Sequence, residues 1–239
     1  MIEIGNLSVS YNGFLALENI SVSLDNGQMT GIIGPNGAGK STLIKAMLNI
    51  IPHSGQVIVD SKSIKKKLKN ISYVEQKADI DYTFPIKVKE CVSLGLYSEM
   101  SVLKKMKKKD WEKVAEALKK VNLAEYSNNQ IGELSGGQFQ RVLLARCLVQ
   151  NAEYIFLDEP FVGIDLISEV IIVKILKELR DAGKTILVIH HDLSKVKEYF
   201  DSLIILNREL VAYGNIDETL TEINLKKAYG NNIFIDKQV

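Results

Sequence analysis

The sequence predicts an α/β protein with a mainly parallel sheet, an N-terminal antiparallel β part and an inserted α-helical subdomain. Two short apolar runs, Tyr154–Leu157 and Thr185–Ile189, are typical of buried strands and are separated by residues of helical period. A third run, Met29–Ile33, leads into a glycine-rich loop and then another helical pattern. Strands that alternate with helices in this way indicate a parallel sheet covered on both faces.

The remaining elements follow in chain order. Residues Ile2–Leu24 alternate between apolar and polar side chains and are interrupted at Asn12-Gly13, which predicts strands joined by a turn. Residues Val57–Gln76 form a second unit that ends in the predicted strand Ile71–Val74. Between Val88 and Val149 the apolar residues recur at helical spacing, which predicts an all-helical insert.

These elements predict one domain over residues 1–239. We expect residues 1–85 and 150–239 to form the α/β core, and residues 86–149 to form the helical insert.

Composition excludes several classes of protein. The 239 residues are 46% hydrophobic and 25% charged, which is enough apolar material for a packed core and excludes a disordered chain. Thirty Lys and Arg residues against 29 Asp and Glu leave a net charge of +1, so overall charge does not favour nucleic-acid binding. No apolar stretch approaches the roughly 18 residues that would suggest a membrane span. We expect a cytoplasmic protein that could dock on a membrane protein.

Local features add two expectations. Two lysine-rich runs favour a solvated surface, with contact to anionic lipid headgroups as the alternative. Cys91 and Cys147 lie far apart within apolar helical patterns, which predicts reduced core residues. The lysine runs contain Lys62, Lys65, Lys66, Lys67 and Lys69, and Lys104, Lys105, Lys107, Lys108 and Lys109.

The glycine-rich loop fits the phosphate-loop pattern and lies between a predicted strand and a predicted helix. Its glycines let successive backbone N–H groups turn toward one anion, and the helix N-terminus adds partial positive charge. Lys40 can reach the terminal phosphates, and the Ser41 hydroxyl can bind Mg²⁺. Kinases, GTPases and motor ATPases all use such a loop, so it predicts nucleotide binding without choosing among them. The pattern comprises Gly34, Pro35, Asn36, Gly37, Ala38, Gly39, Lys40 and Ser41.

Two adjacent carboxylates follow the predicted strand Tyr154–Leu157. Ligands of open α/β sheets bind at the carboxyl ends of the strands, so we expect Asp158 and Glu159 to face the bound nucleotide. Asp158 can hold Mg²⁺ directly or through water, and Glu159 can act as the general base toward the attacking water. An acidic turn after a strand is common by itself, but the phosphate loop favours the catalytic interpretation.

A second candidate anion cradle is Leu134–Gln138, which precedes a helical pattern. Its serine hydroxyl and glycine N–H groups would lie at a helix N-terminus, where anions bind. A single bound nucleotide does not readily account for two anion-binding loops in the same chain, so this second loop requires another explanation. The cradle residues are Ser135, Gly136, Gly137 and Gln138.

Three segments together resemble the ATP-binding subunit of an ATP-binding-cassette (ABC) transporter, namely Gly34–Thr42, Leu134–Gln138 and Ile155–Pro160. The resemblance covers nearly the whole chain and keeps the order of the motifs. It implies a P-loop NTPase (RecA-like) fold, ATP and Mg²⁺ as cofactors, and a head-to-tail dimer of two copies that encloses two ATP molecules. In such a dimer the signature loop of one copy, which contains Ser135, meets the γ-phosphate held by the other copy. The resemblance also adds Thr42 to the nucleotide-binding residues.

The resemblance implies roles for four further residues. Tyr11 matches the aromatic residue that stacks on adenine, and Gln76 matches the glutamine that contacts Mg²⁺ and couples to the permease. Asp165 matches the aspartate that communicates across the dimer. The histidine that senses the γ-phosphate stands directly before an aspartate, which points to His191 and leaves His190 without a role. With these roles, the implied catalytic residues are Lys40, Gln76, Glu159 and His191.

Two segments resemble the import systems for manganese, zinc or iron chelates: Asp79–Val88, which contains Phe84-Pro85, and Asp158–Asp165. Such importers have a separate permease and an extracellular metal-binding protein. The resemblance therefore implies an integral membrane permease as a direct partner of this chain and a peripheral position of the chain on the inner face of the cell membrane. The Lys-rich composition and Tyr11–Leu17 most resemble the manganese branch of Gram-positive bacteria, with zinc and iron as alternatives. The three histidines and two cysteines show no metal-ligand spacing, so substrate choice is expected to depend on the partners.

Other functional classes fit less well. A DNA-repair or chromosome-organising ATPase with the same signature would insert long heptad coiled coils, and residues 88–149 are too few for them. A translation factor of this family normally has two cassettes, and a regulatory cassette usually lacks the base or the switch histidine. A GTPase would need an Asn-Lys-x-Asp guanine-binding motif, which this sequence does not contain.

Overall fold

The computed structural model describes residues 1–76, 84–98 and 105–230, and the chain forms two compact units. The first contains Met1–Leu68 and the chain from Arg180 onward, and the second contains Lys69–Leu179. The predicted division at residues 85/86 and 149/150 stays a prediction. Within the described residues, no helix is both long enough and apolar enough to cross a membrane.

The first unit begins with a four-stranded antiparallel sheet in the order β2-β1-β4-β5. Its strands are β1 (Ile2–Tyr11), β2 (Phe14–Leu24), β4 (Ser54–Val59) and β5 (Lys62–Ser63).

The turn between β1 and β2 explains the N-terminal hairpin. Asn12 has φ 49° and Gly13 has φ 84°, and two consecutive positive φ angles suit the two-residue turns that join antiparallel strands. Tyr11 therefore pairs directly with Phe14. The antiparallel β part that the alternating residues predict is confirmed.

The first unit also contains the strand that carries the phosphate loop. Strand β3 pairs in parallel with both β8 and β9, and β9 pairs antiparallel with β10. All residues of β3 and β8 are buried, as expected for strands covered on both faces. The remaining elements of the first unit are β3 (Met29–Ile33), α1 (Lys40–Met47), β8 (Thr185–Ile189), α6 (Val196–Tyr199), β9 (Ser202–Asn207), β10 (Glu209–Asn215), α7 (Ile216–Thr219) and α8 (Glu222–Tyr229).

The second unit combines a parallel strand pair with the predicted helices. Strand β6 pairs with β7 so that Val74 lies opposite Leu157. Helix α4 is buried on most sides, because it packs against β6 as well as against α2 and α3. The elements are β6 (Ile71–Val74), α2 (Val88–Ser93), α3 (Lys108–Lys120), α4 (Gly136–Gln150), β7 (Tyr154–Leu157) and α5 (Leu166–Asp181), the last two residues of which belong to the first unit.

The cysteines and the lysine-rich runs lie where the sequence predicts them. Cys91 and Cys147 are both free and buried, and burial raises the pKa of each thiol. The lysines of the first run are exposed except for Lys67, whose ammonium group lies 3.0 Å from an oxygen of Asp60. The second run is exposed from residue 105 onward, and Lys104 lies outside the described residues.

Candidate functional site

The phosphate loop connects β3 to α1 in a conformation that requires glycine. Gly37 and Gly39 have φ angles of 79° and 92°, in the left-handed region that L side chains rarely adopt. Gly39 also lies close to β2, because a Cβ atom there would be 2.5 Å from Leu17 Cδ2 and 2.9 Å from Ala16 O. Asn36 and Gly37 at the tip are exposed, which leaves the loop open to a ligand.

Lys40 folds back over the phosphate loop. Its Nζ donates to the carbonyl oxygens of Gly34 at 2.8 Å and Pro35 at 3.0 Å, and only 7% of the residue is exposed. A buried ammonium group held by neutral carbonyls binds an anion more strongly than it binds these carbonyls. Ser41 and Thr42 follow in the first turn of α1, half-buried. The donor set fits a nucleotide polyphosphate.

Tyr11 stands at the end of β1 with 45% of its surface exposed. The neighbouring Phe14 is 55% exposed. The guanidinium of Arg208 lies over its ring in a cation–π contact, with Cζ 4.7 Å from the ring centroid. An exposed aromatic ring can stack on a planar base, and the adenine-stacking role of Tyr11 stays a prediction.

The two histidines after β8 occupy different environments. His190 is 2% exposed, and its ring centroid lies 5.9 Å from that of Tyr199 and 5.7 Å from that of Phe200. His191 is exposed. The aromatic packing around His190 is typical of a structural residue, and the γ-phosphate-sensing role of His191 stays a prediction.

In the second unit, the structure brings two predicted catalytic residues together. Gln76 Nε2 donates to Glu159 Oε2 at 3.0 Å. Glu159 has φ 50°, a left-handed conformation that is uncommon for glutamate and that clusters at functional sites. Asp158 is 2% exposed, and its backbone N–H donates to Val74 O at 2.9 Å. Both carboxylates therefore follow directly from the end of β7, as predicted.

The signature loop forms a capping box at the start of α4. Ser135 Oγ accepts the N–H of Gln138 at 3.2 Å, and Gln138 Oε1 accepts the N–H of Ser135 at 2.8 Å. These reciprocal bonds fix the first turn of the helix, and the N-terminal end of its dipole is favourable for an anion.

Asp165 immediately precedes α5 and caps its first turn. Its carboxylate accepts hydrogen bonds from the backbone N–H and from the hydroxyl group of Ser168, each at 2.8 Å. These bonds, together with the positive charge of Arg141, hold the pKa of Asp165 below its usual value. A Cβ at Gly137 would lie 2.3 Å from Ser168 Oγ and 2.4 Å from Asp165 Oδ2, so the signature glycine packs directly against this cap.

Sequence reasoning missed the contact between the signature loop and Asp165. The Asp-x-x-Ser spacing of Asp165 and Ser168 is a helix-start signal that could have predicted the cap. No local signal indicates that Gly137 lies beside it, because that contact depends on how α4 packs against α5.

The predicted site residues are divided between the two units. The described residues contain no group of three or more His, Cys, Asp and Glu side chains that could hold a metal ion. The segment Asp79–Thr83, part of the metal-importer resemblance, lies outside the described residues. The first unit holds Tyr11, residues 34–42 and His191, and the second holds Gln76, residues 135–138, Asp158, Glu159 and Asp165.

Comparison with known proteins gives consistent matches. Residues 17–162 match the family described as ABC transporter. The chain is 48% identical over 229 residues to the manganese transport system ATP-binding protein MntB of Listeria innocua serovar 6a, which covers 95% of each chain. It is 40% identical over 233 residues to the zinc transport system ATP-binding protein TroB of Treponema pallidum, covering 97% of this chain and 88% of that protein.

Among solved structures, the chain is similar to the dimeric structure of MJ0796, a bacterial ABC transporter cassette. The TM-score is 0.80 at 26% sequence identity, and the match covers 90% of this chain and 99% of that one.

Proposed function

The chain belongs to the ABC transporter family, and from that premise we propose that it is the ATP-hydrolysing subunit of an import system for manganese. The observation that carries the proposal is the near-complete alignment with the MntB protein, at 48% identity over 95% of each chain. ATP hydrolysis is the activity of the family, and the domain binds ATP and ADP. A zinc importer is the second candidate, because the zinc-transport relative TroB is 40% identical.

The phosphate loop is proposed to hold the ATP phosphates, and Tyr11 to stack on the adenine. Lys40 would exchange the carbonyl oxygens of Gly34 and Pro35 for the charged oxygens of the terminal phosphates. Ser41, Asp158 and Gln76 would hold Mg²⁺, since hydroxyl, carboxylate and amide oxygens are its preferred protein ligands. Bound Mg²⁺ would neutralise charge on the phosphates.

Glu159 is proposed as the general base, and Gln76 is proposed to orient its carboxylate. The Nε2 of Gln76 donates to Glu159 Oε2, which leaves the Oε1 of Gln76 as an acceptor for a cation. The left-handed backbone of Glu159 directs its side chain to this partner, and the carboxylate can then take a proton from the attacking water. His191, exposed after β8, is proposed to contact the γ-phosphate.

A second copy of the chain is proposed to complete each nucleotide site, with its signature loop at the γ-phosphate and Asp165 communicating across the dimer. The dimeric MJ0796 cassette supports this arrangement. Next to Asp165, the start of α5 exposes Leu166 at 68%, Ile167 at 73% and Val170 at 59%. An exposed apolar cluster beside functional residues is typical of a surface covered in an assembly.

The permease is proposed to contact the second unit through Phe84. Phe84 is not a core residue of this unit, because 59% of it is exposed. Leu94 and Tyr97, which follow α2, are each 47% exposed. Buried aromatic residues contribute strongly to interfaces, so these side chains fit an apolar helix of an integral membrane partner. The chain would then lie on the inner face of the membrane, and the extracellular metal-binding protein would be an indirect partner.

The test is the ATPase activity of the purified Glu159→Gln variant. The amide can still accept the hydrogen bond from Gln76 but cannot take the proton of water, so kcat should fall by at least about a hundredfold while the MgATP dissociation constant stays within about twofold. The matched control is Glu153→Gln, which changes an exposed carboxylate ahead of β7 and should leave kcat unchanged. Hydrolysis by Glu159→Gln at nearly the wild-type rate would contradict the proposed role.

A further inference from the structure

Arg208 forms the turn between β9 and β10 in an unusual backbone conformation. It is the single residue between the two strands, and its φ angle is 61°. This left-handed conformation is uncommon for a residue with a long side chain, and it persists only where the surrounding structure holds it. The neighbours of Arg208 must therefore fix its backbone.

The backbone of Arg208 is hydrogen-bonded both to the phosphate loop and to β2. Its N–H donates to Ala38 O in the phosphate loop at 2.9 Å, and its carbonyl oxygen accepts the N–H of Glu18 in β2 at 2.8 Å. Strand β10, which begins at the next residue, packs against β2. At the far end of this contact the hydroxyl of Tyr213 accepts the N–H of Asp25 at 3.4 Å. The turn is thus attached to the phosphate loop on one side and to the N-terminal hairpin on the other.

The side chain of Arg208 extends to the tip of the hairpin formed by β1 and β2. Its Cζ lies 4.7 Å from the ring centroid of Phe14, which is within the range of a cation–π contact. Phe14 pairs directly with Tyr11, and side chains that stand directly opposite each other in an antiparallel pair share one face. The guanidinium, Phe14 and Tyr11 are therefore on the same side of the hairpin.

The tip of the hairpin needs such a support more than its middle does. The middle of β2 is packed on the phosphate loop, since a Cβ at Gly39 would lie 2.9 Å from Ala16 O. Residues 10–15, which form the tip, are all exposed. ATP has a limited span between its base and its phosphates, so a stacking aromatic at the tip must keep a fixed separation from the phosphate loop. Arg208 connects these two places.

We propose that Arg208 is a positioning residue for nucleotide binding, whose guanidinium holds Phe14 and thereby keeps Tyr11 at a fixed distance from the phosphate loop. This inference rests on the proposed ATP-binding function and on the proposed stacking of Tyr11 on adenine. It gives Arg208 no contact with the phosphates and no part in hydrolysis. Loss of the guanidinium should therefore weaken the binding only of ligands that carry a base.

The test measures the dissociation constants of MgATP and of magnesium tripolyphosphate, which has three linked phosphates but no base or ribose. Arg208→Gln should raise the MgATP constant by about two- to fivefold, as expected for the loss of an exposed cation–π contact, and leave the tripolyphosphate constant within about 1.5-fold. Arg208→Lys keeps a cation that can lie over the ring and should bind MgATP within about 1.5-fold of wild type. Because both substitutions replace an exposed side chain, kcat should stay within about twofold and the melting temperature within about 2 °C.

A double-mutant cycle tests whether Arg208 acts through Phe14. Phe14→Leu keeps an apolar side chain but removes the ring, so Arg208→Gln should cause no further loss of MgATP affinity in the Phe14→Leu chain. The matched control is Lys227→Gln, which removes a positive charge from an exposed position of α8 in the same unit. It should leave both dissociation constants unchanged.

Equal losses for MgATP and tripolyphosphate in Arg208→Gln would overturn the inference, because they would indicate a direct contact with the phosphates. Wild-type MgATP affinity in Arg208→Gln, independent effects in the cycle, or an equal loss in Lys227→Gln would overturn it too. So would a large fall in the melting temperature of Arg208→Gln, which would indicate a general loss of stability. All these outcomes leave the proposed function intact, whereas a wild-type chain that does not bind MgATP would overturn that function as well.

Discussion

Replacing Gly137 by alanine should destabilise the protein, because the added methyl group has no room between α4 and α5. Its Cβ would lie 2.3 Å from Ser168 Oγ, 2.4 Å from Asp165 Oδ2 and 2.7 Å from Ser168 Cβ. Favourable contacts between nonbonded heavy atoms begin at about 3.5 Å. Ser168 is fully buried and cannot turn toward solvent, so the cap of α5 must break or the two helices must separate.

The magnitude of the Gly137→Ala effect follows from three contributions. Loss of a helix cap costs about 1 kcal/mol, and overpacking costs about 1–3 kcal/mol. The better helix propensity of alanine returns about 1 kcal/mol, so the free energy of unfolding should fall by about 2 kcal/mol. For a chain of this size, that loss lowers the melting temperature by about 4–8 °C.

Calorimetry of the purified protein without nucleotide measures this effect. The control is Gly5→Ala, whose Cβ would meet only the flexible Gln56 side chain, with Cγ at 3.4 Å, and should shift the melting temperature by less than about 2 °C. A Gly137→Ala variant that melts at the wild-type temperature would refute the reasoning, since the signature loop could then not be packed against the Asp165 cap.

Three further predictions test the dimer, the permease contact and the Asp165 cap. Ser135→Arg should lower ATP hydrolysis at least tenfold while MgATP binding is retained, because Ser135 is proposed to act on the nucleotide held by the other chain. An excess of Lys40→Ala chains should restore part of the activity. No rescue in dimers that are shown to be mixed would refute this role of the signature loop. Phe84→Ala should leave the ATPase rate and melting temperature of the isolated chain nearly unchanged, because Phe84 is exposed, and lower permease co-purification and metal uptake; equal co-purification would contradict this contact. The pKa of Asp165 is lower in the folded state, so its ionised carboxylate stabilises the fold at pH values above its unfolded pKa of about 3.9. This stabilisation is lost as the pH falls through the lower, folded-state pKa. The gap in melting temperature between wild type and Asp165→Asn should therefore be constant from about pH 5 to 8 and shrink below about pH 4, and a gap independent of pH would contradict the assignment.

The core strands could be predicted because a strand that is buried on both faces needs apolar residues at nearly every position. Runs such as Met29–Ile33 and Tyr154–Leu157 are short and almost wholly apolar, and every residue in them is buried. The hairpin was predictable as well, since Asn12-Gly13 suits consecutive positive φ angles.

The C-terminal elements were not predicted. Helix α8 has only eight residues, of which Leu225 and Ala228 are buried, too few to establish a helical period.

The site residues were predicted from motifs, whereas their geometry was not. The left-handed conformation of Glu159 has no sequence signal, because glutamate does not favour positive φ. The hydrogen bond between Gln76 and Glu159 joins the ends of β6 and β7, which only the parallel pairing of those strands brings together.

The most direct test of the central claim measures the manganese, zinc and iron contents of cells that lack this gene. The proposed function predicts that manganese alone falls, that the wild-type chain restores it and that the Glu159→Gln chain, produced at the same level, does not. A fall in zinc or iron with manganese unchanged would contradict the proposed substrate, and restoration of manganese by Glu159→Gln would contradict transport driven by ATP hydrolysis at this site.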